Sequence, residues 1–294
     1  MLRPLTARFS SYPATTPWSQ VAAGAAALIV PAALIVPATL LAACGTDGSS
    51  SPTSAAPAEV EKLTAVVHET LPFDATSFTQ GLEATEDGEL WVGTGQYGES
   101  RLYRFDPVTG DERASVDLDP QLFGEGITQF EDSIWQLTWK AGEAIRYNAA
   151  TLKETGRAHY EGEGWGLCAL DNELIMSDGT AELRHLDPDT FEERSRVMVT
   201  HNGAPVNEIN ELECVDGQVY ANVWFSTDIL RIDPATGKVT GVIDASGVKN
   251  NAADDPNNVL NGIAHIKGTD QFYVTGKRWP DLYRVSFEPT TSGT

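Results

Sequence analysis

An all-β, five-bladed β-propeller of four-stranded antiparallel blades is the fold this sequence predicts, and three observations lead to it. Short runs rich in Val, Ile, Leu, Tyr and Trp alternate with Gly, Asp, Asn and Pro, and no long stretch has a helical period. One opening pattern recurs as Gln80-Gly81-Leu82, Glu125-Gly126-Ile127, Trp165-Gly166-Leu167, Asn210-Glu211-Leu212 and Asn261-Gly262-Ile263, its second residues 45, 40, 45 and 51 apart. A turn then follows within the first four units, at Asp106-Pro107, Asn148-Ala149, Asp187-Pro188 and Asp233-Pro234, with a weaker equivalent at Glu288-Pro289. Units of this length hold four strands each, as propeller blades do. A repeat sandwich or a solenoid is the competing reading, but solenoid repeats are usually shorter.

Taken in order, the chain of 294 residues opens on Arg3 and Arg8, then an apolar run from Val21 to Leu41 that ends in Leu41-Ala42-Ala43-Cys44. A basic start, an apolar centre and small residues before the cut read as a secretory signal over 1–43. Leu-Ala-Ala-Cys resembles the bacterial lipobox, which implies a lipidated Cys44 and a cell-membrane, extracytoplasmic location. A spanning anchor is the alternative, although Pro31 and Pro37 interrupt the run and no basic cluster follows it. Residues 44–61 are rich in Ser, Thr, Ala, Pro and Gly and read as a flexible tether. The folded domain is expected over 62–294. Within it, Leu63 to His68 forms a strand without a unit of its own, while the fifth unit ends after three strands. That N-terminal strand is expected to complete the last blade and close the ring.

Charge narrows the function. The chain has 20 basic and 42 acidic residues, a net of −22. Removing 1–43 takes away Arg3 and Arg8 and no acid, which leaves a net of −24. Nucleic-acid binding needs a basic face and is excluded.

In a four-stranded meander the start of the first strand and the end of the second lie at the same end of the sheet. The first set reads Gln80, Glu125, Trp165, Asn210 and Asn261. The second, 12 to 16 residues beyond each unit's second residue, reads Gln96 or Tyr97, Trp139, Asp178, Trp224 and Lys277. One mouth thus gathers a carboxylate, a lysine, three indoles and several carboxamides, the composition of a ligand pocket.

The ordered set Phe78-Thr79-Gln80-Gly81-Leu82-Glu83, Phe123-Gly124-Glu125-Gly126-Ile127-Thr128, Gln136-Leu137-Thr138-Trp139-Lys140, Gly164-Trp165-Gly166-Leu167, Ser177-Asp178-Gly179, Asn210-Glu211-Leu212-Glu213, Ala221-Asn222-Val223-Trp224, Asn261-Gly262-Ile263-Ala264 and Thr275-Gly276-Lys277 resembles the plant and bacterial glutaminyl-peptide cyclotransferases. The likeness runs from about Thr64 to Arg284. It implies a five-bladed propeller that converts the N-terminal Gln of peptides or proteins to pyroglutamate with release of ammonia, without a metal. It also implies Glu125 as the acid–base residue, with Lys277, Gln80 and Asn210 binding and polarising the substrate and Trp139, Trp165 and Trp224 forming the pocket. Phe78 and Phe123 join that wall or belong to the core.

That chemistry suits these residues. The α-amine attacks the carboxamide of its own residue, so the site must fold the substrate and exclude water. One carboxylate can take the amine proton and return it to the departing nitrogen. A cation facing the amide oxygen stabilises the tetrahedral intermediate by roughly 3 to 4 kcal/mol.

Cys168 and Cys214 fall on opposite faces of adjacent units' first strands, which allows a disulfide between them outside the cytoplasm. Two buried thiols are the alternative. The five histidines form no HxH or HExxH pattern, so no zinc site, and no cofactor, is expected. A structural Ca2+ is left open. A monomer is expected, touching the membrane only through its lipid. Two other classes remain: a metal-dependent propeller hydrolase or lactonase with Ca2+ among Glu125, Asn210, Asn261 and Asp178, and a non-catalytic peptide-binding propeller.

Overall fold

The computed structural model describes residues 59–290; the expected leader, Cys44 and most of the tether lie outside them. Among the described residues there are strands and turns and no α-helix. Strand β1 (Glu61–Pro72) begins one residue ahead of the expected domain start. Consecutive hairpins then make three separate four-stranded antiparallel sheets. The first holds β2 (Thr79–Ala84), β3 (Leu90–Thr94), β4 (Arg101–Phe105) and β5 (Glu112–Asp117). The second holds β6 (Gly124–Phe130), β7 (Ser133–Thr138), β8 (Glu143–Asn148) and β9 (Glu154–His159). The third holds β10 (Leu167–Leu170), β11 (Glu173–Ser177), β12 (Glu182–Leu186) and β13 (Glu193–Met198).

A small hairpin, β14 (Thr200–His201) and β15 (Ala204–Pro205), precedes two further antiparallel runs. These are β16 (Ile209–Val215), β17 (Gln218–Val223), β18 (Asp228–Asp233) and β19 (Lys238–Asp244), then β20 (Leu260–His265), β21 (Gln271–Gly276) and β22 (Asp281–Pro289). β1 lies antiparallel to β22, from Leu63 opposite Pro289 to Pro72 opposite Asp281. Its first residues, Glu61 to Thr64, also run parallel to Gly241 to Asp244 of β19. The last two runs are therefore joined into one sheet through β1, a link that separate four-stranded blades would not need. It forms because β1 is 12 residues long and overreaches its partner. Glu288-Pro289, expected as a turn, lies instead in β22 opposite Thr64 and Leu63. No turn is needed there, because the strand beyond β22 comes from the other end of the chain.

The expected turns elsewhere form for the reason their sequence suggests. Asp106 Oδ1 accepts from the backbone N–H of Val108 and Thr109, Asp187 Oδ1 from Asp189 and Thr190, and Asp233 Oδ1 from Ala235. A side chain that mimics the next backbone turn holds the bend between the third and fourth strands.

First strands begin buried, as in β2, whereas fourth strands such as β5 are exposed and charged. β2 packs against β6 and β20, β10 against β6 and β16, and β16 against β20. Apolar clusters fill the gaps between successive sheets, for instance Leu102, Ile127, Ile134 and Tyr147 between the first two. Backbones approach so closely around this inner circle that a Cβ on Gly126 would stand 2.7 Å from both Gly166 Cα and Leu167 N. Where the fourth unit has Glu211 in place of glycine, its carboxylate accepts from the N–H of Leu82 at 3.2 Å and of Ile263 at 2.9 Å.

Cys168 on β10 and Cys214 on β16 form a disulfide, with Cα atoms 5.5 Å apart. The two cysteines lie 46 positions apart in sequence, and closing a loop of that length removes about 4 kcal/mol of unfolded-chain entropy.

Candidate active site

Two repeated backbone irregularities aim the side chains of the mouth. In the pairing of the first and second strands the register slips at Thr79/Gly81, Gly124/Ile127, Ile209/Leu212 and Leu260/Ile263. The slips fall on Gln80, Glu125, Asn210 and Asn261. A bulge leaves the extra residue out of the ladder and turns its side chain out of the alternating pattern. At the other strand end, the N–H of Gly95, Trp139, Trp224 and Lys277 donates to the carbonyl of Phe78, Phe123, Glu208 and Val259. These bonds identify the equivalent positions, and the next residue turns to positive φ at Gln96, Phe225 and Arg278 (95°, 62° and 57°).

A cavity of about 490 Å³ opens there. Its lining includes the residues that the family resemblance assigns to the site: Phe78, Gln80, Phe123, Glu125, Trp139, Trp165, Asn210, Trp224 and Lys277. The three rim indoles are half-buried, unlike Trp91, Trp135 and Trp279, which sit in the core. Trp165 and Trp224 meet edge to face at 5.5 Å, and Phe123 lies against Trp139 at 5.4 Å and Phe78 at 6.1 Å.

Not every expected position reaches the cavity. In the first unit the equivalent residue is Gly95, not Gln96 or Tyr97, because a Cβ there would strike the Phe123 ring. Gln96 follows it and lines the cavity, while Tyr97 is 56% exposed and packs on Phe123. Asp178 is absent from the lining, since its Oδ1 accepts from Thr180 N at 3.1 Å and caps the turn at Gly179. Asn261 lies beneath the floor, fully buried. Its Nδ2 donates to Thr79 O at 3.0 Å and Gln80 Oε1 at 3.2 Å. Asp255, Asn257 and Arg278 join the lining unexpectedly. The 51-residue spacing of the fifth unit was the signal for the first two, because the extra length is the loop that carries them.

Polar groups are arranged as a relay. Asn261 fixes the orientation of the Gln80 amide, and Gln80 Nε2 donates to Glu125 Oε1 at 3.1 Å. Gln80, assigned to the substrate by sequence, is thus also committed to Glu125. Burial raises the Glu125 carboxyl well above the usual carboxylate range, Lys277 opposes the rise and Glu163 adds to it. Burial lowers the Lys277 ammonium to about 8, against the pull of Glu125. Among the described residues Lys277 Nζ has no hydrogen-bond or ion-pair partner, and it lies 5.1 Å from the Phe78 ring centroid. Acid and base therefore feel each other across the cavity without touching.

Fold and cavity define a class: an all-β, propeller-like protein whose repeated strand ends converge on an acid–base pocket. A family model described as glutamine cyclotransferase matches residues 39–287. A glutaminyl-peptide cyclotransferase of Arabidopsis thaliana is 34% identical over 225 residues, which covers 75% of this chain and 70% of that protein. The crystal structure of Myxococcus xanthus glutaminyl cyclase matches with a TM-score of 0.75 at 36% identity, over 79% of this chain and 100% of that one. The protein belongs to the glutamine cyclotransferase family.

Proposed function

We propose that this protein cyclises the N-terminal glutamine of peptides or proteins to pyroglutamate and releases ammonia. The observation that carries the reading is the placing of Glu125 and Lys277, both buried, at one cavity walled by three indoles. Tryptophan faces attract the cationic N-terminus. The α-amine attacks the carboxamide carbon; Glu125 takes the amine proton and returns it to the departing nitrogen, which leaves as ammonia. Negative charge gathers meanwhile on the former amide oxygen, where the Lys277 ammonium and the Asn210 amide are the available donors. Asn210 suits this task because its side chain makes no hydrogen bond among the described residues, whereas Gln80 is held by Asn261 and Glu125. Incubating the purified protein with a Gln-initiated peptide should release one ammonia per peptide consumed. A peptide that remains intact would overturn this reading and leave the hydrolase and the non-catalytic binding readings.

The chemistry so written needs no metal, since Lys277 supplies the positive charge. Cyclisation should therefore continue in excess chelator; its loss would revive a metal-dependent mechanism.

The domain is read as a five-bladed propeller closed by β1. Support comes from the cyclic packing of the first strands and the pairing of β1 with β22. Deleting residues 61–72 exposes the outer edge of the last sheet, along β22, and should leave an insoluble or unfolded chain. A soluble, active truncation would rule out closure by this strand.

The leader motif supports a protein tethered by lipid at Cys44 to the outer face of the cell membrane, otherwise monomeric. Cys44→Ala should abolish palmitate labelling and free the protein from the membrane; continued labelling would exclude that site.

A further inference from the structure

Glu163 stands outside the cavity lining, yet two of the three rim indoles end on it. Its Oε2 accepts from Trp139 Nε1 at 2.6 Å and from Trp165 Nε1 at 3.0 Å. The two tryptophans come from different units, one at the end of β7 and the other just before β10. Oε1 faces Lys140 Nζ at 3.5 Å, and that ammonium lies 3.8 Å from the Trp139 ring centroid. An indole has one polar atom, so a bond at Nε1 fixes which edge turns outward and which part of the ring meets the cavity. Hydrogen bonds to a charged acceptor are the strong kind.

We propose that Glu163, steadied by Lys140, is a positioning residue that locks Trp139 and Trp165 into one rigid wall of the substrate pocket. The proposal rests on the cyclisation reading. Backbone bonds cannot do this alone: Gly164 N–H to Trp139 O and Trp165 N–H to Ser177 O hold the strands but leave the indoles to rotate. A locked wall matters because cyclisation depends on holding the glutamine in a near-attack shape. The carboxylate has a second effect. The groups that act on Glu125 are Gln80 through its hydrogen bond, Lys277, and Glu163 behind the indoles, with Tyr160 farther out. The negative charge of Glu163 favours the protonated form of Glu125, so removing it lets that proton leave at lower pH.

The test compares Glu163→Leu with Glu163→Gln by kinetics, pH profile and near-ultraviolet circular dichroism. Losing both acceptors, the Leu variant should fall by about ten-fold or more in kcat/KM. The contribution of the perpendicular Trp165–Trp224 pair to the dichroism should change with it. The Gln variant keeps an acceptor oxygen and should stay within about three-fold of the wild type, since only the charge is lost. Its Glu125-governed limb should nevertheless move to lower pH, which a purely structural residue would not cause. Wild-type kinetics and dichroism in the Leu variant, or an equal loss in both, would overturn the proposal. Should the Leu variant not fold, Trp139→Phe removes one donor while keeping a ring, and unaltered kcat/KM there is equally decisive against it. A wild-type protein that releases no ammonia defeats only the functional reading; the dichroism still decides whether Glu163 holds the indoles.

Discussion

Glu125→Gln should lose about 10²- to 10⁴-fold in kcat while KM stays near its wild-type value. The introduced amide oxygen can still accept from Gln80 Nε2, so the pocket keeps its shape and only the proton carrier is removed. Folding should not suffer. A carboxyl with a raised folded-state pKa binds its proton more tightly when folded, so stability falls as pH climbs from the unfolded value toward the folded one. Deleting that group removes the loss, and the variant should melt no lower than the wild type at neutral pH and above. Single-turnover cyclisation and thermal melts measure the two quantities. Near-wild-type turnover would take Glu125 out of the mechanism.

Lys277→Met should cost about 10²- to 10³-fold in kcat, the scale of a lost oxyanion donor. The pH profile offers a sharper test. The ammonium is present below about 8 and disappears above it, just where the substrate amine, with a pKa near 8, becomes the free nucleophile. Wild-type activity is therefore expected to peak narrowly, with an alkaline limb belonging to Lys277. That limb should vanish in the Met variant and move upward in Lys277→Arg, which stays charged. Stability again separates chemistry from folding: a lowered folded-state pKa means the buried ammonium opposes folding while charged, so the Met variant should be no less stable. An alkaline limb that survives in both variants would assign it to another group.

Much of the site was legible because a repeat turns sequence spacing into spatial equivalence. Gln80 and Lys277 stand nearly two hundred positions apart, yet one opens the first strand of its unit and the other follows the second strand of its own, the two places that share a mouth. Counting along five units was enough to bring them to one mouth. Where counting failed, a single residue intervened. Gly95 replaced Gln96 because the Phe123 ring occupies the space of a side chain, and Asp178 was drawn into capping its own turn. One bulge or one positive φ shifts which side chain faces the opening, and alternation cannot register that.

The sequence by itself determined the repeated strands, the turns at Asp106, Asn148, Asp187 and Asp233, the unit length, the paired cysteines' proximity and the chemical types gathered at the mouth. All of these follow from local pattern: apolar period, turn chemistry and parity along a strand. Tertiary structure alone decided that Asn261 would brace Gln80 from below, that the loop through Asp255 and Asn257 would line the cavity, that β1 would reach across to β19, and that Glu163 would hold two indoles. Spacing along the chain does not say which of these side chains will face each other. Those contacts exist only once buried groups must find hydrogen-bond partners in a closed interior.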